Sequence, residues 1–256
     1  MAPPISNTAE GGSNGVTVST ANSGGTSGTA WDSVSVGTGL TYDTATKMHG
    51  GVGYAFAAPA NVIESLQWTT SLGSQTDIYW RMYMFRSATP LEQQRIVRFF
   101  NTAGGTEGGR ISWHTDGKLY SFDSTLAVPG ASSFTLTANQ WLRFEGRILA
   151  SATVGIIEVK AYVGDNTSAI GTYTRTNVNT LTTIGEIRFG NAVAATPGAF
   201  WMDDFTVVTT GYPGPATSSQ TLLPDADLAA GGWTTSPLFS KVNDSSDATI
   251  ITATAS

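Results

Sequence analysis

The chain has 256 residues and a formal net charge of −6 at pH 7, with 40% hydrophobic and 12% charged residues. This length and hydrophobic content predict a folded protein with a sizeable core and exclude a disordered or fibrous chain. The negative charge argues against nucleic-acid binding. The absence of cysteine excludes disulfides, thiolate metal sites and a cysteine nucleophile.

The same composition favours an all-β protein. Only 12% of the residues are charged and 29 are glycine, whereas helical enzymes need many Lys, Glu and Arg residues on their helix surfaces. No apolar run is long enough to span a membrane, and residues 1–4 lack the basic and apolar regions of a signal peptide. We therefore expect neither membrane insertion nor a signal peptide.

In chain order, residues 1–15 come first and are rich in Pro, Gly, Asn and Ser. They predict an N-terminal arm or surface strand. Residues 16–208 follow as short segments of alternating apolar and polar residues, separated by Gly, Asn, Asp and Pro. Such alternation is typical of strands with one face in a core and the other in water. This region therefore predicts a β-sandwich or jelly roll.

Two patterns within this region predict particular elements. Residues 91–98 give the one plausible helix, although the β-branched and aromatic residues in and just after them fit a strand better. Asp116 and Gly117 lie between two alternating segments, residues 111–114 and 118–122. An Asp-Gly pair in that position predicts a tight hairpin.

Polar side chains recur at the outward positions of several predicted strands. They are Arg143, Glu145, Arg147, Glu158, Lys160, Tyr162, Glu186 and Arg188. We favour a cross-strand charge ladder that solubilises the sheet and sets its register. The alternative is a glycan groove, in which sugars stack on aromatic rings while Arg and Glu side chains bind hydroxyls. The candidate residues for that groove are Tyr79, Arg81, Tyr83, Trp113, Arg143 and Glu145.

Two adjacent carboxylates, Asp203 and Asp204, lie within the aromatic and β-branched segment 200–208. In a regular strand they point to opposite faces, so one of them is directed toward apolar neighbours and needs a partner. We expect an arginine or backbone amides first, and Ca²⁺ at Asp203 or Asp204 second. No other cofactor is expected, and the lone His49 and His114 do not have zinc-site spacing.

The prolines and glycines of residues 209–220 end the last predicted strand and form a linker. Residues 221–256 follow as a C-terminal extension or the start of a second β-module, with one short helix at 237–246 and one strand at 249–254. So short a segment without disulfides cannot build its own core. It must pack on the first domain, on another subunit or on further chain, so we expect a homo-oligomer or a multi-copy assembly.

Several segments, taken in order, resemble the concanavalin A-like and laminin-G-like jelly-roll domains. The resemblance covers roughly residues 10–212. It rests on motifs that include Trp31-Asp32-Ser33-Val34, Gly50-Gly51-Val52-Gly53-Tyr54, Asp116-Gly117-Lys118-Leu119, Trp141-Leu142-Arg143-Phe144-Glu145 and Trp201-Met202-Asp203-Asp204-Phe205. The resemblance implies a lectin-like domain over residues 16–208.

The residues after the last strand carry a second resemblance, to virion proteins of tailed bacteriophages. It rests on Tyr212-Pro213-Gly214-Pro215, Leu222-Leu223-Pro224-Asp225-Ala226-Asp227 and Gly231-Gly232-Trp233-Thr234. It implies a head-decoration, minor capsid or minor tail protein that is made in the host cytoplasm and displayed on the virion. Its partners would be other virion proteins and a cell-surface polysaccharide. The alternative is a carbohydrate-binding module of a secreted bacterial protein.

A glucanase-like glycoside hydrolase is the third alternative, because related jelly rolls include glucanases. The resembling enzymes place their carboxylates as Glu-x-Asp-x-x-Glu, and this string is absent from the sequence. Glu145, Glu158 and Glu186 each have an Arg or Lys two residues away. A nearby cation lowers the pKa of a carboxyl group, which opposes a general-acid role. We therefore expect no enzymatic activity.

Overall fold

The computed structural model describes residues 3–37, 39–57, 62–126, 130–195 and 198–216, and for residues 191–195 it describes the backbone alone. Within these ranges the regular elements are fifteen strands and one short 3₁₀ helix, Gly25–Ser27. The all-β prediction is therefore confirmed. No helix in the described ranges has the length and apolar character needed to cross a membrane.

The strands form two antiparallel sheets. In pairing order, the eight-stranded sheet consists of β13 (Gly171–Val178), β12 (Gly155–Val163), β11 (Gln140–Leu149), β6 (Asp77–Arg86), β15 (Phe200–Val208), β4 (Gly53–Phe56) and β3 (Thr41–Asp43), with β1 (Ile5–Asn7) beside β15. The seven-stranded sheet consists of β10 (Gly130–Thr135), β9 (Lys118–Asp123), β8 (Glu107–Trp113), β7 (Gln94–Phe100), β14 (Glu186–Ala195), β5 (Val62–Trp68) and β2 (Ser33–Ser35). This is the β-sandwich of the jelly-roll class that the alternation predicts.

The core lies between the two sheets because each strand buries one of its faces. On β6 the even-numbered residues from Ile78 to Met84 are buried in the core, and the odd-numbered ones alternate onto the outer face. Large aromatic side chains fill much of the core. Trp31 stacks on Trp68 with 4.1 Å between ring centroids, and aromatic pairs of this kind add to the stability gained from burial alone.

Two local predictions are confirmed. Residues 91–98 contribute to strand β7 rather than to a helix. Asp116 and Gly117 connect β8 to β9, which pair antiparallel with Trp113 opposite Leu119. Gly117 has a φ of 80°, a left-handed conformation that glycine adopts at little cost.

The N-terminal segment, expected to form an arm or a surface strand, contributes strand β1 and packs into the sandwich. The side chain of Asn7 is fully buried and donates hydrogen bonds to the carbonyl oxygens of Ser23 (2.6 Å) and Thr29 (3.0 Å). It also accepts one from the Tyr54 hydroxyl at 2.6 Å. These bonds satisfy a polar group that the sequence pattern places at the surface.

The described residues belong to one compact unit, Met1–Ser218. The predicted C-terminal extension, residues 221–256, lies outside the described residues. The same is true of its predicted helix at 237–246 and strand at 249–254.

Candidate functional site

The outer face of the eight-stranded sheet carries a ladder of charges. Arg147 donates two hydrogen bonds to Asp77, at 2.9 and 2.7 Å. Arg143 Nε lies 2.9 Å from Glu145 Oε1, although the two groups are not aligned as a hydrogen bond. Both pairs lie on the central strands β6 and β11. Across β11 and β12, Arg147 lies opposite Glu158 and Glu145 lies opposite Lys160, which is the cross-strand order that the charge-ladder interpretation expects.

Residues 211–216, hereafter the exit segment, fold back over this face after β15. The Tyr212 ring lies edge-on to Tyr79 with 5.1 Å between centroids, and its hydroxyl donates to Glu158. Lys160 Nζ lies 3.6 Å from the centre of the same ring. Tyr79, one of the six candidate sugar-binding residues, and the neighbouring charged residues Glu158 and Lys160 therefore contact Tyr212.

The backbone of the exit segment extends this cover over β6. Arg81 Nη1 donates to the carbonyl oxygen of Gly214 at 3.0 Å. The backbone N–H of Ala216 donates to the Tyr83 hydroxyl at 2.8 Å. Part of the segment interpreted as a linker is therefore docked on the sandwich through specific hydrogen bonds.

The structure does not bring the six candidate glycan residues together in an open groove. Trp113 belongs to the seven-stranded sheet and its side chain lies in the core, which corrects its candidacy for the glycan groove. Glu186 and Arg188 likewise lie on that sheet and not beside Arg143. Of the six candidates, only Tyr79 is more than marginally exposed; the others expose 0% (Tyr83), 1% (Trp113), 2% (Arg143 and Glu145) and 8% (Arg81).

Strand β15 contains a bulge at the Asp pair. Asp203 pairs with Tyr83 and Thr206 pairs with Arg81, so three steps along β15 match two along β6. Asp204 has a φ of 49°, which is the left-handed conformation found in some bulges. The strand is therefore irregular, so the condition under which the two carboxylates were expected to point to opposite faces is not met. Both carboxylates contact residues of the loop before β4 instead.

Asp203 is buried and bound by backbone amides. Its Oδ2 accepts from the N–H groups of Met48 (2.9 Å) and His49 (3.2 Å), and its Oδ1 accepts from that of Asp204 (2.9 Å). Burial raises the pKa of Asp203 well above its usual range, and the charge of Asp204 adds to this, while the three amides oppose it. Backbone amides are one of the two partners that the sequence analysis expects first for a buried carboxylate at this position.

His49 forms a bridge between two carboxylates, hereafter the His49 clamp. Its Nδ1 contacts Asp204 Oδ2, its Nε2 lies 2.9 Å from Asp165 Oδ2, and Tyr83 donates to Asp165 Oδ1 at 2.5 Å. The hydrogen bond with Asp204 raises the pKa of His49 to about 9 against the effect of burial, and Asp165 adds to the rise. The imidazole is therefore charged at neutral pH and acts as a tie between loops and strands, not as a base.

No sequence pattern points to the clamp, since its carboxylates lie 116 and 155 residues from His49. Among the residues that the structure describes, no group of three or more His, Asp or Glu side chains is arranged to hold a metal ion. The carboxylate oxygens of Asp203 are bound by amides, and the Oδ2 of Asp204 faces the imidazolium.

The outer face of the seven-stranded sheet carries three arginines in register, hereafter the arginine row. Arg188 on β14 lies directly opposite Arg98 on β7, which lies opposite Arg110 on β8. The row continues to Gln67 on β5 at one end and to Phe122 on β9 at the other. Neighbouring strands are about 4.8 Å apart, and like charges directly opposite one another are destabilising. The row therefore needs compensation.

Two glutamates, two or three residues further along the strands, supply part of that compensation. Glu186 binds Arg188. Glu107 accepts from Arg98 Nε at 2.8 Å and from Arg110 Nη1 at 3.2 Å. Three guanidinium groups are thus held in place by two carboxylates, and the row keeps a net positive charge in a protein whose total is −6.

Two aromatic rings pack against the arginine row. The Phe100 ring centre lies 4.7 Å from the guanidinium carbon of Arg98 and 4.6 Å from that of Arg188. The Phe122 ring centre lies 4.1 Å from that of Arg110. Cation–π contacts of this kind fix the orientation of guanidinium groups. The alternation places these side chains outward, but which strands are neighbours is not visible in the sequence.

No family model matches the chain, and no curated protein matches it. Among solved structures, the chain is similar to a protein of unknown function from Shewanella oneidensis MR-1, with a TM-score of 0.48 and 13% identity over 68% of this chain and 77% of that one. It is also similar to Trypanosoma rangeli sialidase, with a TM-score of 0.43 and 12% identity over 70% of this chain and 28% of that one.

A further similarity is to the ligand-binding domain of botulinum neurotoxin serotype D, in complex with N-acetylneuraminic acid. Here the TM-score is 0.46 and the identity 11%, over 84% of this chain and 48% of that one. This chain therefore spans less than half of the sialidase and neurotoxin chains. At these identities and TM-scores the similarities carry no argument about function.

Proposed function

We propose that this chain is a non-catalytic, carbohydrate-binding β-sandwich displayed in many copies on the virion of a tailed bacteriophage. The observation that carries the binding part is the arginine row on the outer face of the seven-stranded sheet. Guanidinium groups form paired hydrogen bonds with oxygen atoms, and adjacent aromatic rings offer apolar surface to a sugar.

The row is a candidate binding surface because its side chains are held in place and those of Arg98 and Arg188 reach solvent. The side chains of Arg98, Arg110 and Arg188 are 15%, 10% and 17% exposed. Their stems are packed and their head groups are fixed by Glu107, Glu186 and the phenylalanine rings. Because these side chains are already ordered, binding a ligand would cost little side-chain entropy.

The non-catalytic part of the proposal rests on the carboxylates. Glycoside hydrolysis needs two carboxyl groups that face the sugar, one of them with a raised pKa. Glu107, Glu145 and Glu186 each lie against an arginine side chain. Asp203 does have a raised pKa, but its side chain is buried beneath backbone amides.

The virion part of the proposal rests on the resemblance of residues 212–234 to tailed-phage proteins. Multi-copy display would give avidity for a cell-surface glycan even where each single site binds weakly.

A glycan-binding panel probed with the full chain tests the binding part. We expect saturable binding to at least one polysaccharide and no release of reducing sugar. The absence of binding across a broad panel would refute the carbohydrate proposal, and release of reducing sugar would refute the non-catalytic one.

Mass spectrometry of purified phage particles tests the assembly part. We expect this chain to be present in several copies per particle. Absence from the particles, together with intact glycan binding, would instead favour the carbohydrate-binding module of a secreted bacterial protein.

A further inference from the structure

One part of the seven-stranded sheet contains hydrogen-bond donors without partners. Arg95 on β7 lies opposite Ser112 on β8. Arg95 Nε and Nη1 and Arg110 Nε are buried and have no hydrogen-bond partner among the described residues. Buried N–H groups without acceptors are costly, so each such group in a native protein calls for an explanation.

The charges at this position are also unbalanced. Arg95 is close enough to Arg98 and Arg110 for their charges to act on it, and the nearby anion is Glu107. Burial and these two cations lower the pKa of Arg95 to about 10, while Glu107 opposes the change. The guanidinium groups of Arg95, Arg98 and Arg110 therefore share the single carboxylate of Glu107. Arg98 and Arg110 bind that carboxylate directly, and Arg95 does not.

An aromatic surface lies beside the unpaired donors. Tyr120 on β9 lies opposite Ser112 on the side away from Arg95. Its ring stacks on the imidazole of His114, with 4.0 Å between centroids and 27° between planes. The Nε2 of His114 is buried and also lacks a hydrogen-bond partner in the part of the chain that the structure describes. A sugar ring could pack on this pair with its polar groups directed toward the arginines.

We propose that Arg95, Arg110, Ser112, His114 and Tyr120, hereafter the Ser112 corner, bind a carboxylate-bearing sugar of an acidic polysaccharide. The carboxylate accepts hydrogen bonds from Arg95 and Arg110, and the sugar ring packs on Tyr120 and His114. Ser112, whose hydroxyl accepts from Gln93 at 2.9 Å, forms the floor of the corner. This inference rests on the proposed carbohydrate function and specifies its ligand class.

The fold does not require the Arg95 charge. Arg98 and Arg110 each bind Glu107, whereas the Nε and Nη1 of Arg95 have no acceptor in the described structure and Arg95 is repelled by its neighbours. Replacing Arg95 with Gln should therefore leave the thermal stability unchanged or raise it. A residue retained for folding would give the opposite result.

Isothermal titration calorimetry of the full chain tests the inference with two acidic probes, oligogalacturonate and sialyllactose, and their neutral methyl esters. We expect at least one acid to bind, and its methyl ester to bind at least about tenfold more weakly, as for loss of a charge-assisted hydrogen bond. Binding of the acid should weaken as salt rises, because salt screens partly exposed charges.

The Arg95→Gln variant should bind the acid at least about tenfold more weakly than the wild type, with an unchanged or higher Tm. Arg147→Gln, the same charge change on the opposite sheet, should bind as the wild type does. Wild-type affinity in Arg95→Gln, equal affinity for acid and ester, or a lower Tm in that variant would overturn the inference.

The inference and the proposed function fail in different ways. Binding of neutral glycans with no binding of either acid overturns the Ser112 corner and leaves the carbohydrate proposal intact. No binding to any glycan overturns both.

Discussion

The His49 clamp should make the stability of the sandwich depend on pH above neutrality. The hydrogen bond with Asp204 is the main reason that the pKa of His49 rises from 6.5 to about 9. A raised folded-state pKa means that the contribution to stability is complete below the unfolded pKa and is lost as the pH rises through the folded pKa. The free energy of unfolding should therefore fall between about pH 6.5 and pH 9.

The size of the change in the free energy of unfolding follows from the pKa shift of His49 and from the exposure of the side chains involved. A rise from 6.5 to about 9 corresponds to about 3 kcal/mol at about 1.4 kcal/mol per pKa unit. The side chains of His49 and Asp165 are 14% and 46% exposed, so solvent screens part of this. We expect about 1–2 kcal/mol to remain, which for a domain of this size lowers the Tm by about 2–8 °C.

Thermal unfolding of the wild type and of His49→Gln at pH 6.5 and pH 9.5, followed by circular dichroism, tests this expectation. The His49→Gln variant should have a lower Tm than the wild type at pH 6.5. Its Tm should not fall further between pH 6.5 and pH 9.5 through this titration. His114→Gln is the control and should keep the fall, because burial lowers the pKa of His114 and moves its titration below this range. A wild type without the fall, or a His49→Gln variant that retains it, would refute the reasoning.

Three other changes test the remaining contacts. Tyr212→Ala removes the edge contact with Tyr79 and the cation–π contact with Lys160. The free energy of unfolding, measured by urea unfolding, should therefore fall by about 1–2 kcal/mol. An unchanged free energy would mean that the exit segment is not docked in solution. Trp113→Ala truncates a core side chain and should lower the free energy of unfolding by about 3–5 kcal/mol. A variant as stable as the wild type would contradict the position of Trp113 in the core. Addition of CaCl₂ or of EDTA should leave the Tm unchanged, because Asp203 is bound by amides and Asp204 faces an imidazolium; a Tm several degrees higher with calcium would show a cation site there.

The fold class could be predicted from the sequence because it depends on local patterns. Alternating segments such as residues 78–86 give the strand period directly, and the Asp-Gly turn at residue 117 fixes one hairpin. The sheet to which each strand belongs depends on contacts between distant segments. Strand β6, for example, pairs with β11 and β15, which come much later in the chain.

The candidate site could not be predicted for the same reason. Sequence reasoning groups Trp113 and Arg188 with residues of the other sheet, because alternation predicts the face of a strand but not which strands are neighbours. The arginine row requires the register of β14, β7 and β8. The bulge at Asp204 places a residue other than glycine at positive φ, and no Gly or Pro within strand β15 marks it.

The most direct test of the central claim is to locate a bound glycan by NMR. The side-chain Nε–Hε resonances of the arginines would be followed while the full chain is titrated with a polysaccharide that it binds. We predict changes at the four arginines of the seven-stranded sheet, Arg95, Arg98, Arg110 and Arg188, and none at Arg143 or Arg147 of the opposite sheet. Changes confined to Arg143 and Arg147 would contradict the account.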